Sequence, residues 1–141
     1  MRGCAVWALA ACLLLVGCGE SDEDKLEAFA QAVTGDLNVQ RLDHVMQTYV
    51  DPAQQPLVVT VFNDPREYGS DTAATIGATA RERLARIMGS TARVMRKRIR
   101  IDGKQATVTL QLFGERLMGH TRYELEKHGD SWLVKSLDVS R

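Results

Sequence analysis

Residues 95–112 read MRKRIRIDGKQATVTLQL, and two alternating patterns meet inside this stretch at a turn. Apolar residues alternate with polar ones on both sides of it, at Met95, Ile99, Ile101, Ala106, Val108, Leu110 and Leu112. Asp102-Gly103 is a strong hairpin dipeptide. A two-residue loop there pairs Ile101 with Lys104 and Ile99 with Ala106, so we expect both apolar sets on one face of an antiparallel pair.

Two further strands are predicted after this hairpin. The third strand of the meander runs from Leu117 to Lys127, with a bulge or bend at Gly119, and Gly129-Asp130 forms the next turn. The last strand spans residues 132–139 and is apolar on both parities, so its register stays open. The C-terminal half therefore predicts a four-stranded antiparallel meander.

Helical patterns precede the meander. Leu26, Phe29, Ala30 and Val33 have the spacing of an amphipathic helix, begun by a Ser21–Asp24 capping box and ended by Gly35. A second helix begins at an Asn38 cap and stops at Pro52, and a third runs from Asp71 to Gly89. A short β-rich run at residues 57–62, cut off by Asn63-Asp64-Pro65, lies between the last two. We expect an α+β fold with three N-terminal helices packed on a curved antiparallel sheet.

This order of elements resembles the nuclear-transport-factor-2-like superfamily, which includes SnoaL-like and ketosteroid-isomerase-like proteins. The resemblance is carried by AFAQAVTGDL at residues 28–37, by residues 42–51, and by Trp132-Leu133-Val134. It implies a cone-shaped fold with a pocket between the sheet and the helices. That superfamily contains enzymes, ligand binders and partner-binding modules, so the fold does not choose the function.

The N-terminus resembles a bacterial lipoprotein signal peptide. A basic Arg2 and an apolar run at residues 4–16 end in Leu15-Val16-Gly17-Cys18, the pattern of a lipobox whose cysteine receives a diacylglycerol. The run is too short to span about 30 Å of hydrocarbon. Leu9-Ala10-Ala11-Cys12 also fits the lipobox pattern, although cutting there would leave only a stub upstream. The remaining alternative is an ordinary secretory signal without lipidation.

The lipobox divides the chain into a signal peptide at residues 1–17, a lipidated tether at 18–24 and a single α+β domain at 25–141. The resemblance places the protein in the bacterial cell envelope, and Gly19 after the cysteine favours the outer membrane, facing the periplasm. Cys4 and Cys12 leave with the signal peptide, so no cysteine remains for disulfides or thiolate chemistry. Lys+Arg and Asp+Glu are equal at 18 each, which gives no basic excess for nucleic acid.

Four polar residues are candidates for a ligand site on the pocket-facing side: Tyr49, Lys97, Thr121 and Tyr123. Lys97 lies among apolar residues on its strand face, where an ammonium needs a partner or a path to water. It either holds an anionic ligand, with Tyr123 donating beside it, or extends to solvent at the sheet rim.

A second candidate site is the basic strand face formed by Arg96, Arg98 and Arg100. Residues 81–100 contain eight basic residues and one acid, Glu82. This face suits anionic lipid headgroups or an acidic partner, or it is simply a solvated face.

The sequence contains no recognisable catalytic motif. A steroid-type isomerase needs a carboxylate base and an oxyanion pair, and only Asp138, in one register of the last strand, approaches that need. His44, His120 and His128 are too widely spaced for a metal motif, and we expect neither a metal nor a cofactor. The leading hypothesis is a non-enzymatic, lipid-anchored module that binds a small ligand or an envelope protein. The alternatives are an isomerase- or dehydratase-type enzyme using the internal pocket, and a surface-recognition or assembly lipoprotein using the basic face.

Overall fold

The computed structural model describes residues 19–36, 42–88, 92–115 and 118–141. The predicted signal peptide, Cys18 and the Asn38 cap lie outside these ranges. The elements follow the order α1 (Asp22–Asp36), α2 (Leu42–Tyr49), β1 (Leu57–Val61), β2 (Asp64–Tyr68), α3 (Ala73–Met88), β3 (Ala92–Asp102), β4 (Gln105–Gly114), β5 (Met118–His128) and β6 (Ser131–Ser140). Within the described ranges, no helix has both the length and the apolar character needed to cross a membrane.

All six strands form one curved sheet in the order β2-β1-β6-β5-β4-β3. The predicted meander of β3 to β6 is confirmed. The expectation of a purely antiparallel sheet is wrong, because β1 pairs with β6 in parallel.

The β1–β2 hairpin was not predicted, because Asn63-Asp64-Pro65 looks like the end of a strand. Phe62 and Asn63 adopt φ angles of 48° and 65° and form a two-residue loop, so that Val61 pairs with Asp64. Two consecutive positive φ values are the requirement of a type I′ hairpin turn. Pro65 is accommodated because β2 lies at the sheet edge, where a missing N–H breaks no interior ladder.

Among the described residues, α1 and α2 precede β1 and α3 follows the first two strands, which is the predicted order. The expectation of three N-terminal helices is nevertheless not matched, because α2 has just 8 residues. The capping box is confirmed, since the Asp24 amide donates to Ser21 Oγ at 3.1 Å and the Ser21 amide donates to Asp24 Oδ2 at 3.3 Å.

The β3–β4 hairpin keeps the predicted faces but shifts the predicted pairing. Asp102 pairs with Gln105 and Ile101 with Ala106, so the loop is Gly103-Lys104 and not Asp102-Gly103. Gly103 has φ +59°, which favours glycine at the first central position of the turn. The parity of every side chain is unchanged by this shift.

Two bulges adjust which residues face inward. On β3 the register shifts between Val94 and Arg96, which leaves Met95 67% exposed instead of on the predicted apolar face. On β6 the register shifts so that Val134 pairs with Leu125 and Ser136 with Glu124, with Lys135 as the extra residue. Of the bulge or bend predicted at Gly119, the bulge is wrong, because Gly119 pairs with Leu112 in unbroken register.

The core lies between the inward face of the sheet and the helices. It consists of apolar side chains from every strand except β3 together with residues of all three helices, among them Leu26, Phe29, Val45, Met46, Val59, Ile76, Leu110, Leu125 and Leu137. Residues of β3 such as Ile99 and Ile101 are only partly buried against it. The opposite, outward face of the sheet is left polar.

Candidate functional site

Three aromatic rings fill the space behind the inward face of the sheet. The Phe29 ring meets Tyr49 edge-to-face at 4.8 Å between centroids, and it meets Tyr123 in the same way at 5.3 Å. Phe29 and Tyr123 are at most 1% exposed, and Thr121 is 2% exposed. Tyr49, Thr121 and Tyr123 thus belong to the packed interior, and their predicted role in ligand binding stays a prediction.

Tyr49 is partly buried against the core. Burial raises the pKa of its hydroxyl above the ordinary value of 10.0, and the negative charge of Glu20 raises it further. The hydroxyl is therefore held in its neutral form across the neutral pH range.

Lys97 lies on the inward face, as predicted, and has an acidic partner. Its Nζ donates to Glu27 Oε1 of α1, while the two side chains remain 35% and 45% exposed. The positive charge of Lys97 is thus balanced by the carboxylate of Glu27. The pair joins β3, at the edge of the sheet, to α1.

A second set of contacts holds the start of α1 to the β5–β6 hairpin. Lys127 Nζ donates to Asp22 Oδ2 at 2.8 Å, and Trp132 Nε1 donates to Asp22 Oδ1 at 3.1 Å. We call these three residues the Asp22 clamp. The hydrogen bond from Lys127, followed by that from Trp132, lowers the pKa of Asp22 below its ordinary value of 3.8. Beside the clamp, Lys25 Nζ donates to the Asp130 carbonyl at 2.8 Å.

The outward face carries the predicted basic residues in a row. Arg96, Arg98 and Arg100 alternate along β3 and are all exposed. Within the part of the chain that the structure describes, none of their guanidinium groups has a hydrogen-bond or ion-pair partner. We call these three residues the arginine row.

Two members of the arginine row line an open groove on the sheet. The groove has a volume of about 220 Å³ and is lined by Arg96, Arg98, Thr109, Gln111 and His120. We call it the outer groove. Its walls are basic and neutral, with no carboxylate among the described residues that line it. Thr109, Gln111 and His120 are not among the predicted site residues, although their alternating positions on β4 and β5 place them on the same outward face as the arginines.

A second depression of about 540 Å³ adjoins the outer groove and shares Thr109 and His120 with it. Arg122 Nη2 lies 3.1 Å from Glu124 Oε1, and Ser136 Oγ donates to Glu124 Oε2 at 3.1 Å. Asp138, which one register would have turned inward, lines this depression on the outward face. The face therefore changes from basic on β3 to mixed charge on β5 and β6.

A third cavity, of about 440 Å³, lies where α2 meets the β5–β6 hairpin, and its lining includes Asp51, His128 and Ser131. These residue types suggest acid–base chemistry, but they are not joined. Asp51 accepts from the Ala53 amide at 3.2 Å and from Gln54 Nε2 at 2.7 Å. His128 Nε2 is buried and has no hydrogen-bond partner among the residues that the structure describes. The arrangement does not show a carboxylate orienting the imidazole, which a general base of this kind uses.

The outer groove is lined by side chains that can donate hydrogen bonds: two guanidinium groups, a hydroxyl, an amide and an imidazole. The predicted lipidation site at Cys18 lies outside the described residues.

Comparison with known proteins identifies the fold. No family model matches the chain, and no curated protein sequence matches it. Among solved structures, an NTF-2 like protein of unknown function from Shewanella oneidensis MR-1 matches with a TM-score of 0.62 and 18% identity, covering 86% of this chain and 100% of its own. A cystatin-like fold protein from Burkholderia xenovorans LB400 matches with a TM-score of 0.59 and 20% identity, covering 82% of this chain and 88% of its own. A DUF4783 family protein from Bacteroides uniformis ATCC 8492 matches with a TM-score of 0.57 and 9% identity, covering 79% of this chain and 94% of its own. These likenesses support a nuclear-transport-factor-2-like fold and carry no function.

Proposed function

We propose that this protein is a lipid-anchored, non-enzymatic binding protein of the bacterial cell envelope that recognises an anionic partner through the arginine row. The observation that carries the proposal is the set of three aligned, exposed arginines without acidic partners among the described residues. Like charges on neighbouring positions of one strand face repel one another. An anionic partner would relieve this repulsion and accept hydrogen bonds from the guanidinium groups.

The anchor part of the proposal is supported by the lipobox and by its closeness to the folded domain. Residues 19–21 precede α1, which begins at Asp22, so the domain starts almost directly after Cys18. We place the lipid at Cys18, with the domain at the outer membrane and facing the periplasm. Several acyl chains on this cysteine would hold the protein permanently, since each buried methylene contributes about 0.8 kcal/mol.

Metabolic labelling of the intact chain with a clickable fatty-acid probe tests the anchor. We expect the label to disappear in Cys18→Ala and to persist in Cys12→Ala, the cysteine of the competing lipobox-like stretch. A label that survives Cys18→Ala would contradict the proposed tether.

The binding part is tested by charge reversal on the full chain in zwitterionic detergent, using fluorescein-labelled polyglutamate as the anionic probe. We expect R96E/R98E/R100E to abolish the anisotropy increase that the wild-type chain shows. Arg86→Glu is the control, because Arg86 is an exposed helix residue paired with Glu82. Equal binding by the triple variant and the wild type would refute recognition through this face.

A further inference from the structure

We propose that the outer groove is a binding site for a phosphate monoester group. This inference rests on the proposed function, because it assigns a ligand class to part of the same face. The phosphate would lie over Thr109 and Gln111, with Arg96 and Arg98 on one side and His120 on the other.

The strand register places these donors around a common centre. Arg96 pairs with Gln111, which pairs with His120 on the next strand, and Arg98 pairs with Thr109. Adjacent strands lie about 4.8 Å apart, and same-face neighbours along a strand lie about 7 Å apart. The five side chains therefore border an area of roughly 7 Å by 10 Å, which long arginine side chains span from the edge.

The number of donors favours phosphate over carboxylate. A carboxylate presents two oxygens in one plane, and a single arginine fork satisfies both. A phosphate monoester carries a charge of about −1.5 to −2 and presents three acceptor oxygens in a tetrahedral arrangement. Two guanidinium groups, a hydroxyl, an amide and an imidazole on three strands suit the second kind of acceptor.

Neighbouring basic residues are paired with acids, whereas Arg96 and Arg98 have no ion-pair partner among the described residues. Arg122 is paired with Glu124 on the same face, and Lys97, which lies between Arg96 and Arg98 in the chain, is paired with Glu27. Arg83 of α3 binds the Asp64 carbonyl at 2.9 Å and the Asp64 carboxylate at 3.0 Å. Within the described ranges, the guanidinium groups of Arg96 and Arg98 are therefore available to a ligand.

The adjoining depression indicates what the rest of the ligand is like. It continues from the outer groove through Thr109 and His120 toward Glu124, Ser136 and Asp138. Glu124 already accepts from Arg122 and Ser136, so the Asp138 carboxylate is the acceptor that favours a hydroxyl or amine group on the part of the molecule attached to the phosphate. A small polyhydroxyl or amine-bearing phosphate ester has both properties.

The test is a titration of the full chain in zwitterionic detergent with glycerol 3-phosphate, followed by calorimetry and by the NMR signals of the arginine side chains. We expect Arg96→Gln and Arg98→Gln each to weaken binding about tenfold or more, since a hydrogen bond to a charged group is worth about one such factor. Arg93→Gln is the matched control, because Arg93 is an exposed arginine of the same strand that belongs neither to the arginine row nor to the lining of the groove. Equal losses in all three variants would overturn a defined site in favour of diffuse attraction.

Two further titrations identify the ligand class and its source. Succinate, a dicarboxylate of similar charge, is expected to bind at least about tenfold more weakly than glycerol 3-phosphate if a phosphate is being recognised. Equal affinity would overturn the phosphate assignment. Short-chain dihexanoyl phosphatidic acid carries the same headgroup: equal affinity supports a free phosphate ester as the ligand, and tighter binding supports a lipid headgroup.

The polyglutamate experiment separates failure of this inference from failure of the proposed function. Arginine-dependent binding of polyglutamate without binding of glycerol 3-phosphate would overturn the phosphate site and leave anion recognition in place. Absence of both would overturn both. Arginine-dependent self-association without phosphate binding, detected by analytical ultracentrifugation, would also overturn the site and assign the face to a second copy.

Discussion

Basic side chains occur on both faces of this sheet, but they differ in whether they are paired with an acid. On the inward side, Lys97 and Lys127 each meet a carboxylate of α1, Glu27 and Asp22 respectively. On the outward side, Arg96 and Arg98 are exposed and have no such partner among the described residues. Lys97 and Lys127 join elements of the fold, so their removal should change stability, whereas removal of Arg96 and Arg98 should change binding alone.

The largest effect is expected from an aromatic ring of the inward face. Phe29→Ala should lower the free energy of unfolding by about 3–5 kcal/mol, because it removes a fully buried ring and leaves a cavity between Tyr49 and Tyr123. Denaturant titration of the full chain measures this. Phe113→Ala is the matched control, since Phe113 is 56% exposed and should change stability by less than about 0.5 kcal/mol. Similar losses of unfolding free energy in both variants would contradict the claim that the inward face carries more of the stability than the outward face.

A smaller, pH-dependent loss is expected from Asp22→Asn. Because the folded-state pKa of Asp22 lies below its ordinary value of 3.8, its carboxylate stabilises the fold above that pH, and the contribution is lost as the pH falls through the folded-state pKa. The stability difference between wild type and Asp22→Asn should therefore shrink as the solution is acidified. Thermal melts from pH 7 to pH 2 measure it, with Glu23→Gln as the control. A difference that does not depend on pH would contradict the role of the Asp22 clamp.

Breaking the Lys97–Glu27 pair should cost less again. Both side chains are partly exposed, so Glu27→Gln should destabilise the chain by about 1 kcal/mol or less. A double-mutant cycle with Lys97→Met isolates the pairwise coupling, which added salt should reduce. A coupling energy of zero at low salt would show that the pair does not join β3 to α1.

The smallest effect on stability is expected from the arginine row itself. R96Q/R98Q/R100Q should change the free energy of unfolding by no more than about 0.5 kcal/mol, because exposed side chains without partners contribute little to the fold. The same denaturant titration measures this change. A loss comparable to that of Phe29→Ala would show that these arginines are structural and would remove the basis for assigning them to binding.

Regular patterns made the meander and its faces predictable. Alternation on β3 and β4 correctly placed Lys97 inward and Arg96, Arg98 and Arg100 outward, even though the turn is one residue later than expected. Face assignment survived because the actual pairing differs by an even number of residues, and side chains alternate with a period of two.

Local irregularities set the limit of that prediction. The bulge at Lys135 brings Val134 and Leu137 to the same face, which explains why β6 is apolar on both parities and why its register could not be read. The β1–β2 hairpin could not be predicted from the sequence, because its turn requires a positive φ at Phe62 and a bulky residue rarely adopts that conformation. The outer groove was only half predicted, since Arg96 and Arg98 stand out by charge while Thr109 and Gln111 resemble ordinary solvent-facing strand residues.

The Asp22 clamp has a consequence for where such a groove would operate. The four residue-to-residue steps from Cys18 to Asp22 extend at most about 14 Å. Asp22 is bound to Lys127 and Trp132. With a lipid on Cys18, the β5–β6 hairpin would therefore be held within this short distance of the membrane leaflet that contains the lipid. Molecules confined to the same surface would then meet the protein at a high effective concentration, so even weak intrinsic affinity would give substantial occupancy.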